Sequence, residues 1–217
     1  MKAALFLVAF FLPTLSTLAR PARAQTEPAL ERLLAGNARF VAGEPQHDHQ
    51  DAARRAQVAQ NQYPTAVIVG CADSRVPPEL VFDQGLGDLF VVRVAGNVVE
   101  DSAIASVEYA VEHLGAKLVV VLGHERCGAV DAVLRGGKLP GHLDSLSRAI
   151  GPVTSGARKQ GGDVLDNAVR ANVMRVVREL EQSEPILTRA VHVEELSIVG
   201  ARYDLDTGAV EILPKQL

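Results

Sequence analysis

The sequence has no tryptophan and only two cysteines. Two cysteines allow at most one bridge within the chain, which excludes a disulfide-rich scaffold. There is no run rich in Lys and Arg, and the formal net charge is -4. Nucleic acid and anionic membrane surfaces are therefore poor candidates for partners. What is present, 217 residues of which 47% are apolar, suits one globular domain with a sizeable core.

The N-terminal segment has the pattern of a secretory signal peptide. Lys2 precedes the apolar run 3-AALFLVAFFL-12, about half of the roughly 20 residues that a membrane span needs, and small residues follow up to 22-ARA-24. The pattern predicts a signal peptide over residues 1–24, export to the periplasm, and no stable membrane insertion after cleavage. An uncleaved anchor and an N-terminal core helix are the alternatives. The mature domain would span residues 25–217.

Short apolar runs alternate with amphipathic segments in the rest of the chain. Strands are predicted at 65–70, 89–96 and 117–123, and a hairpin at 196–204 and 209–213. Helices are predicted at 27–43, 46–62, 101–115, 127–136, 167–181 and 184–194, with Asp101 as an N-cap and 139–162 as loop with a short helix inside. This order predicts an α/β fold with a mostly parallel central sheet, helices on both faces and an antiparallel edge strand.

Both cysteines lie where strands of this sheet end, the edge at which such folds bind ligands. Cys71 follows one strand, His124 follows another, and Cys127 is three residues further on. Two thiolates and an imidazole are ligands that suit Zn²⁺, and three protein ligands leave the fourth position open, as in catalytic sites. A Cys71–Cys127 disulfide is the alternative, because an exported chain with two cysteines more often forms a bridge.

Asp73 and Arg75 form a second pair directly after Cys71. Two residues apart in an extended segment, they point to the same side. A guanidinium that holds the carboxylate would keep Asp73 ionised and able to accept a hydrogen bond from a metal-bound water. A local salt bridge without a catalytic role is the alternative interpretation.

The motifs 71-CADSR-75 and 124-HERC-127 together resemble those of the β-class carbonic anhydrases. The resemblance extends from about residue 30 to the C-terminus and includes 89-LFVVRVAGN-97 and 198-IVGARYDLDTGAVEIL-213. It implies one zinc ion per chain on Cys71, His124 and Cys127, with Asp73 and Arg75 as the catalytic dyad. The implied reaction is reversible hydration of CO₂ to bicarbonate and a proton, by attack of zinc-bound hydroxide.

The resemblance also implies the residues of a substrate pocket, namely Gln62, Phe90, Tyr109 and Gly128. Regulated members of the family carry a tryptophan three residues before the first zinc cysteine, where this chain has Ile68. That difference favours an open zinc position over a closed form in which Asp73 becomes the fourth ligand.

The family further implies a homodimer or larger homo-oligomer, with sites at the dimer interface and an N-terminal helical arm against the neighbour. Packing of that helix within its own chain is equally compatible with the sequence. Two other functions stay open at this stage. One is hydrolysis of COS or CS₂ on the same zinc scaffold, and the other is a non-catalytic zinc-binding or disulfide-stapled exported protein.

Overall fold

The structure, a computed structural model, describes the backbone of residues 23–215 and the side chains of residues 28–215. The predicted signal peptide over residues 1–24 therefore lies almost entirely outside the described residues. Among the described helices, none combines the length and the apolar character that a membrane crossing requires.

Five strands form one sheet in the order β2-β1-β3-β4-β5. Their bounds are β1 Ala66–Gly70, β2 Leu89–Arg93, β3 Leu118–His124, β4 Ser197–Tyr203 and β5 Val210–Leu213. The pairs β1·β2, β1·β3 and β3·β4 are parallel, and β5 runs antiparallel to β4. The predicted mostly parallel sheet with an antiparallel edge strand is confirmed. β1 and β3 are buried along their whole length, as expected of central strands covered on both faces.

Helices cover both faces of the sheet. Their bounds are α1 Arg23–Ala42, α2 Ala52–Val58, α3 Pro78–Val81, α4 Asp101–Glu112, α5 Gly128–Arg135, α6 Asp144–Ala157, α7 Val164–Glu181 and α8 Ile186–His192. One core cluster joins alternate residues of β1 and β3 to α4, α7 and α8. A second cluster joins the opposite faces of β1 and β3 to α1 and α3. Because successive side chains of a strand point to opposite faces, β1 and β3 contribute residues to the core on each side of the sheet.

The N-terminal helix predicted from the sequence is present and packs within its own chain. Leu33 of α1 is fully buried in the second cluster. Asn37, also buried, donates from Nδ2 to the carbonyls of Val81 and Gly208, and its Oδ1 accepts from the N–H of Val210. These hydrogen bonds attach α1 to the turn between β4 and β5.

Several helix bounds and caps differ from the sequence predictions. The short helix predicted inside residues 139–162 is present but longer than expected, because α6 occupies Asp144–Ala157 despite the internal Pro152. Its Ile150 and Ala157 are fully buried, so tertiary packing outweighs the low helix propensity of this Gly- and Pro-containing segment. Asp101 is not the N-cap of α4 but its first residue, since Glu100 holds the extended cap conformation.

The helix predicted at 46–62 is much shorter, and only Ala52–Val58 is helical. The residues before it form a loop that is held by the buried carboxylate of Asp83. Its oxygens accept from the N–H groups of Gln46 and His47 and from the Arg39 guanidinium. His47 and His49 have φ values of 56° and 59°, in the left-handed region that a helix does not contain. These backbone conformations explain why the periodic polar pattern does not continue as a helix.

Candidate metal centre

Three elements bring together Cys71, His124 and Cys127, which are the predicted zinc ligands. Cys71 directly follows β1, His124 is the last residue of β3, and Cys127 is the N-cap of α5. Because β1 and β3 are parallel neighbours, their carboxyl ends meet at one edge of the sheet. All three side chains are buried, and one ligand atom from each lies within 4.8 Å of the other two.

The two thiols are free in the structure, with Sγ atoms 4.0 Å apart. A disulfide would bring them to about 2.0 Å, so the disulfide alternative is not what the structure contains. Two thiolates on one tetrahedral zinc, each about 2.3 Å from the metal, would lie about 3.8 Å apart. The observed separation therefore fits a shared ion.

His124 is oriented as a metal ligand. Its Nδ1 lies 2.8 Å from the carbonyl oxygen of Glu125, which fixes the proton on Nδ1 and leaves a lone pair on Nε2. Nε2 is buried and has no hydrogen-bond partner among the described residues. A buried polar atom without a partner is costly, and a metal ion among the three side chains would remove that cost. The donor set and this unpartnered nitrogen both fit zinc.

The two thiols differ in acidity without a metal. The hydrogen bond from Cys127, together with the N–H groups of Asp73 and Gly96, lowers the pKa of Cys71 below its usual range against the opposing effect of burial. The Cys71 thiolate, followed by burial, raises the pKa of Cys127 above its usual range. The closeness of the two sulfurs therefore favours one negative charge on the pair, held nearer the N–H groups that point at Cys71.

Asp73 and Arg75 form a bidentate ion pair beside the ligands. The guanidinium donates from Nε to Oδ1 at 2.9 Å and from Nη2 to Oδ2 at 2.8 Å, and the Arg75 N–H donates to Oδ1 at 3.0 Å. These interactions hold the pKa of the Asp73 carboxyl well below its usual range. Oδ2 lies 3.7 Å from Nε2 of His124, so an ionised carboxylate faces the position that the three ligands surround.

The segment that carries Cys71 and Asp73 is held from β2. Arg93, the last residue of β2, donates from Nε to the carbonyl of Cys71 at 2.9 Å and from Nη2 to that of Asp73 at 2.6 Å. The N–H groups of Asp73 and Gly96 point at the Cys71 sulfur, at 3.4 and 3.2 Å. The ligand and the dyad are therefore positioned by one set of backbone contacts.

Residues 66–210 match the carbonic anhydrase family. The match contains both cysteines, His124 and the dyad. The chain belongs to this family. It is 44% identical to carbonic anhydrase 2 of Mycobacterium tuberculosis H37Rv over 184 residues, which are 83% of this chain and 89% of that protein. It is 43% identical to a carbonic anhydrase of Mycolicibacterium smegmatis over 188 residues, covering 85% and 91% of the two chains.

Solved structures assign this carbonic anhydrase to the β class. A tetrameric β-carbonic anhydrase of the ascomycete Sordaria macrospora superposes with a TM-score of 0.68 and 25% identity, covering 86% of this chain and 97% of that one. The predicted family, the β class and the fold are confirmed. The β class depends on zinc, and the group Cys71, His124 and Cys127 can hold a metal ion.

The predicted substrate pocket lies apart from the metal centre within one chain. Gln62 and Tyr109 line one surface cavity of about 720 Å³, and the ring of Phe90 lies 6.3 Å from that of Tyr109. Phe90 pairs in register with Val67, four residues before Cys71, or about 13 Å along the strand. Only the fourth predicted pocket residue, Gly128, is adjacent to the ligands, as the exposed first residue of α5.

Three residues around the centre of this carbonic anhydrase were not predicted from the sequence. Arg93 and Gly96 fall within the stretch 89-LFVVRVAGN-97 that carries the resemblance but were given no role, and Asn172 was not singled out. Each carried a signal, because Arg93 ends an otherwise apolar strand and Asn172 lies on the apolar face of α7. A polar residue on a predicted buried face needs a partner, but the sequence does not show which partner it has.

Proposed function

We propose that this chain is a zinc-dependent carbonic anhydrase that interconverts CO₂ with bicarbonate and a proton. The main support is the buried group Cys71, His124 and Cys127, whose donor atoms lie within 4.8 Å of one another. Among the described residues, Nε2 of His124 has no hydrogen-bond partner. The named relatives at 43 and 44% identity are carbonic anhydrases, which favours CO₂ over COS or CS₂ as the substrate.

The trio would hold one zinc ion per chain. Bound there, zinc would act as a Lewis acid that makes water nucleophilic near neutral pH. Asp73 has the role of orienting the attacking water, since its ionised Oδ2 faces the centre and can accept a hydrogen bond. Arg75 keeps that carboxylate ionised and engaged in an ion pair rather than free to bind the metal, because both carboxylate oxygens accept from the guanidinium. This intact pair supports the open form of the site.

The backbone around the site supplies donors for the product. Gly128 opens α5, and the free N–H groups of a helix N-terminus favour anions such as bicarbonate. The exposed position of Gly128 next to the buried Cys127 supports a position for this N–H group close to a bound metal ion. We assign Gly128 the role of contacting a substrate oxygen through its backbone.

We further propose that a second copy of the chain completes the site. β2 lies at one edge of the sheet, and an uncovered strand edge is a template for pairing with another chain. Leu80, Leu86, Val94 and Tyr109 are all exposed near this edge. If two β2 strands pair antiparallel about a twofold axis, the Phe90 end of one strand meets the Arg93 end of the other. Gln62, Phe90 and Tyr109 of one copy would then line the centre of its neighbour.

We also propose that residues 1–24 direct export to the periplasm and are removed there. The support is the order of Lys2, the apolar run 3–12 and the small residues at 22–24. Intact mass of the protein recovered from the periplasm tests this. A chain that starts at Gln25 is the expected result, and a full-length chain in the cytoplasm would contradict the proposal.

The activity is tested by two assays on one preparation. Hydration of CO₂, followed by the release of protons, is the expected reaction, and H₂S release from COS or CS₂ should be negligible beside it. H₂S release with little CO₂ hydration would overturn the proposed substrate. Failure of both assays with zinc bound would support a non-catalytic zinc protein instead.

A further inference from the structure

The backbone N–H of Gly96 contacts the Cys71 sulfur, and its carbonyl is bound by another residue. It lies in the 3₁₀ turn Ala95–Asn97, just beyond β2, and its N–H donates to Sγ of Cys71 at 3.2 Å. Its φ is 68°, and a Cβ there would lie 2.9 Å from Cδ1 of Ile150 and 3.3 Å from Cβ of Ala129. The left-handed conformation favours glycine, and a side chain there would press on Ile150 and Ala129. The turn can therefore bring an N–H group to the sulfur.

The carbonyl of the same residue is bound by a buried side chain of α7. Asn172 is fully buried, and its Nδ2 donates to the oxygen of Gly96 at 2.8 Å. Its Oδ1 lies 3.4 Å from the donor Nε of Arg175. Because one neighbour is an acceptor and the other a donor, the orientation of the Asn172 amide is settled by its partners. A helix on one face of the sheet thus holds a turn next to a predicted metal ligand.

We propose that Asn172 is a positioning residue for the metal centre, which fixes Gly96 so that its N–H donates to the Cys71 thiolate. This inference rests on the proposed zinc enzyme and adds a residue beyond the ligands and the dyad. Asn172 touches neither substrate nor metal in this role. It acts through Gly96 alone.

The chemical consequence concerns the charge on Cys71. Two thiolates donate more charge to a metal than neutral imidazoles do, which weakens it as a Lewis acid. An N–H group that donates to a thiolate draws part of that charge away from the metal. The N–H groups of Gly96 and Asp73 both do so here, and the one from Gly96 is the closer. Loss of Asn172 would loosen this donor and leave more charge on the sulfur.

A purely structural role for Asn172 makes a different prediction. The side chain lies among apolar residues of α7, and its truncation would cost stability whatever it does for the metal. Val176 offers a matched control, because it is fully buried on the same helix. It belongs to the cluster that joins α7 to α4 and α8, whereas Cys71 and Cys127 belong to another cluster.

The test uses the purified protein with Co²⁺ in place of zinc. The energy of the sulfur-to-cobalt charge-transfer band reports the charge on the thiolates, and it does not require turnover. We expect Asn172→Ala and the milder Asn172→Ser to shift the band to lower energy, with Val176→Ala matching the wild type. Competition with a chelator should show the zinc dissociation constant of both Asn172 variants raised about 10-fold or more, again without change in Val176→Ala.

Charge-transfer bands and zinc affinities of both Asn172 variants that coincide with those of Val176→Ala would overturn the inference. If Asn172→Ala does not fold, Asn172→Ser is judged by the same two measurements. Zinc binding and CO₂ hydration by the wild type distinguish failure of this inference from failure of the proposed function. A wild type that binds zinc and hydrates CO₂ while the variants leave the band unmoved removes only the role of Asn172. A wild type that takes up no metal removes both.

Discussion

Arg75 binds both carboxylate oxygens of Asp73, with Nε 2.9 Å from Oδ1 and Nη2 2.8 Å from Oδ2. The carboxylate that faces the metal position is thereby engaged by a cation and remains ionised, with its pKa below the usual range. In a closed site, Asp73 would have to leave Arg75 to reach the metal. The ion pair is thus the contact on which an open fourth position depends.

Asp73→Asn should retain zinc but lose most of the activity. The amide keeps the size of the side chain and removes the charged acceptor, and loss of a positioned acid–base group costs about 10²- to 10⁴-fold. Stopped-flow hydration of CO₂ with metal analysis of the same sample measures both effects. Asp131→Asn is the matched control, since Asp131 pairs with Arg135 on α5. Full activity in Asp73→Asn would remove the carboxylate from the mechanism.

Because both thiols are free in the structure, we expect two alkylated cysteines per chain once the metal is removed. With metal chelated and the protein denatured under non-reducing conditions, both Cys71 and Cys127 should react, giving two modifications per chain in the mass spectrum. Native protein with zinc bound should react slowly, because both side chains are buried and ligated. A chain that takes no label until a reductant is added would restore the disulfide interpretation.

Sites shared between two copies can be tested by complementation. Cys71→Ser lacks a metal ligand but keeps the pocket, whereas Gln62→Ala combined with Tyr109→Ala keeps the ligands but lacks the pocket. In a mixed dimer, the intact ligands of one chain would meet the intact pocket of the other. Co-expression should then recover about a quarter of the wild-type activity by random pairing about the twofold axis.

The control for complementation pairs Cys71→Ser with Cys127→Ser. Neither chain then has a complete ligand set, so no mixed dimer gains an intact site and activity should stay at background. If Cys71→Ser co-expressed with the double pocket variant gave no more than the sum of the separate variants, each site would lie within one chain.

Asp83 should contribute stability that depends on pH. Burial raises its pKa, but the N–H of Gln46, the Arg39 guanidinium and the N–H of His47 outweigh this, so the pKa lies below its usual value. Such a group stabilises the fold above its unfolded pKa of about 3.9, and this contribution is lost as the pH falls through the lower folded value.

Asp83→Asn should therefore lower the free energy of unfolding by about 1–3 kcal/mol at pH 7. The gap to the wild type should narrow as the pH falls below about 4, because the Asp83 carboxyl of the unfolded chain takes up its proton there before that of the folded protein does. Urea titrations at several pH values measure this difference. The control is Asp48→Asn, an exposed position of the same loop. A gap that widens towards low pH would contradict the sign of the pKa shift.

Much of the fold was predictable because the central strands carry a local signal. β1 and β3 are buried on both faces, so their sequences are continuous apolar runs bounded by loop residues. The segment around α6 carried a weaker signal, from which only a short helix was predicted. Its Gly151 and Pro152 favour a loop locally, and only the burial of Ile150 against Gly96, which is a long-range contact, accounts for the helix.

The metal ligands were predictable because the motifs place Cys71 and His124 at the ends of strands that turn out to be neighbours. The contacts that hold them were not. Arg93 binds the carbonyls of Cys71 and Asp73, which are 22 and 20 residues away, and Asn172 reaches Gly96 over 76 residues. Sequence shows that a polar residue needs a partner, whereas the fold decides which one.

We propose that the carbonic anhydrase activity of this chain depends on a zinc ion bound by Cys71, His124 and Cys127. Stopped-flow hydration of CO₂ by metal-stripped protein, before and after one equivalent of zinc per chain is added, tests it most directly. We expect background rates without metal, full recovery at one equivalent, and no recovery in Cys71→Ser. Hydration by the stripped protein at the full rate, or none after zinc is bound, would contradict it.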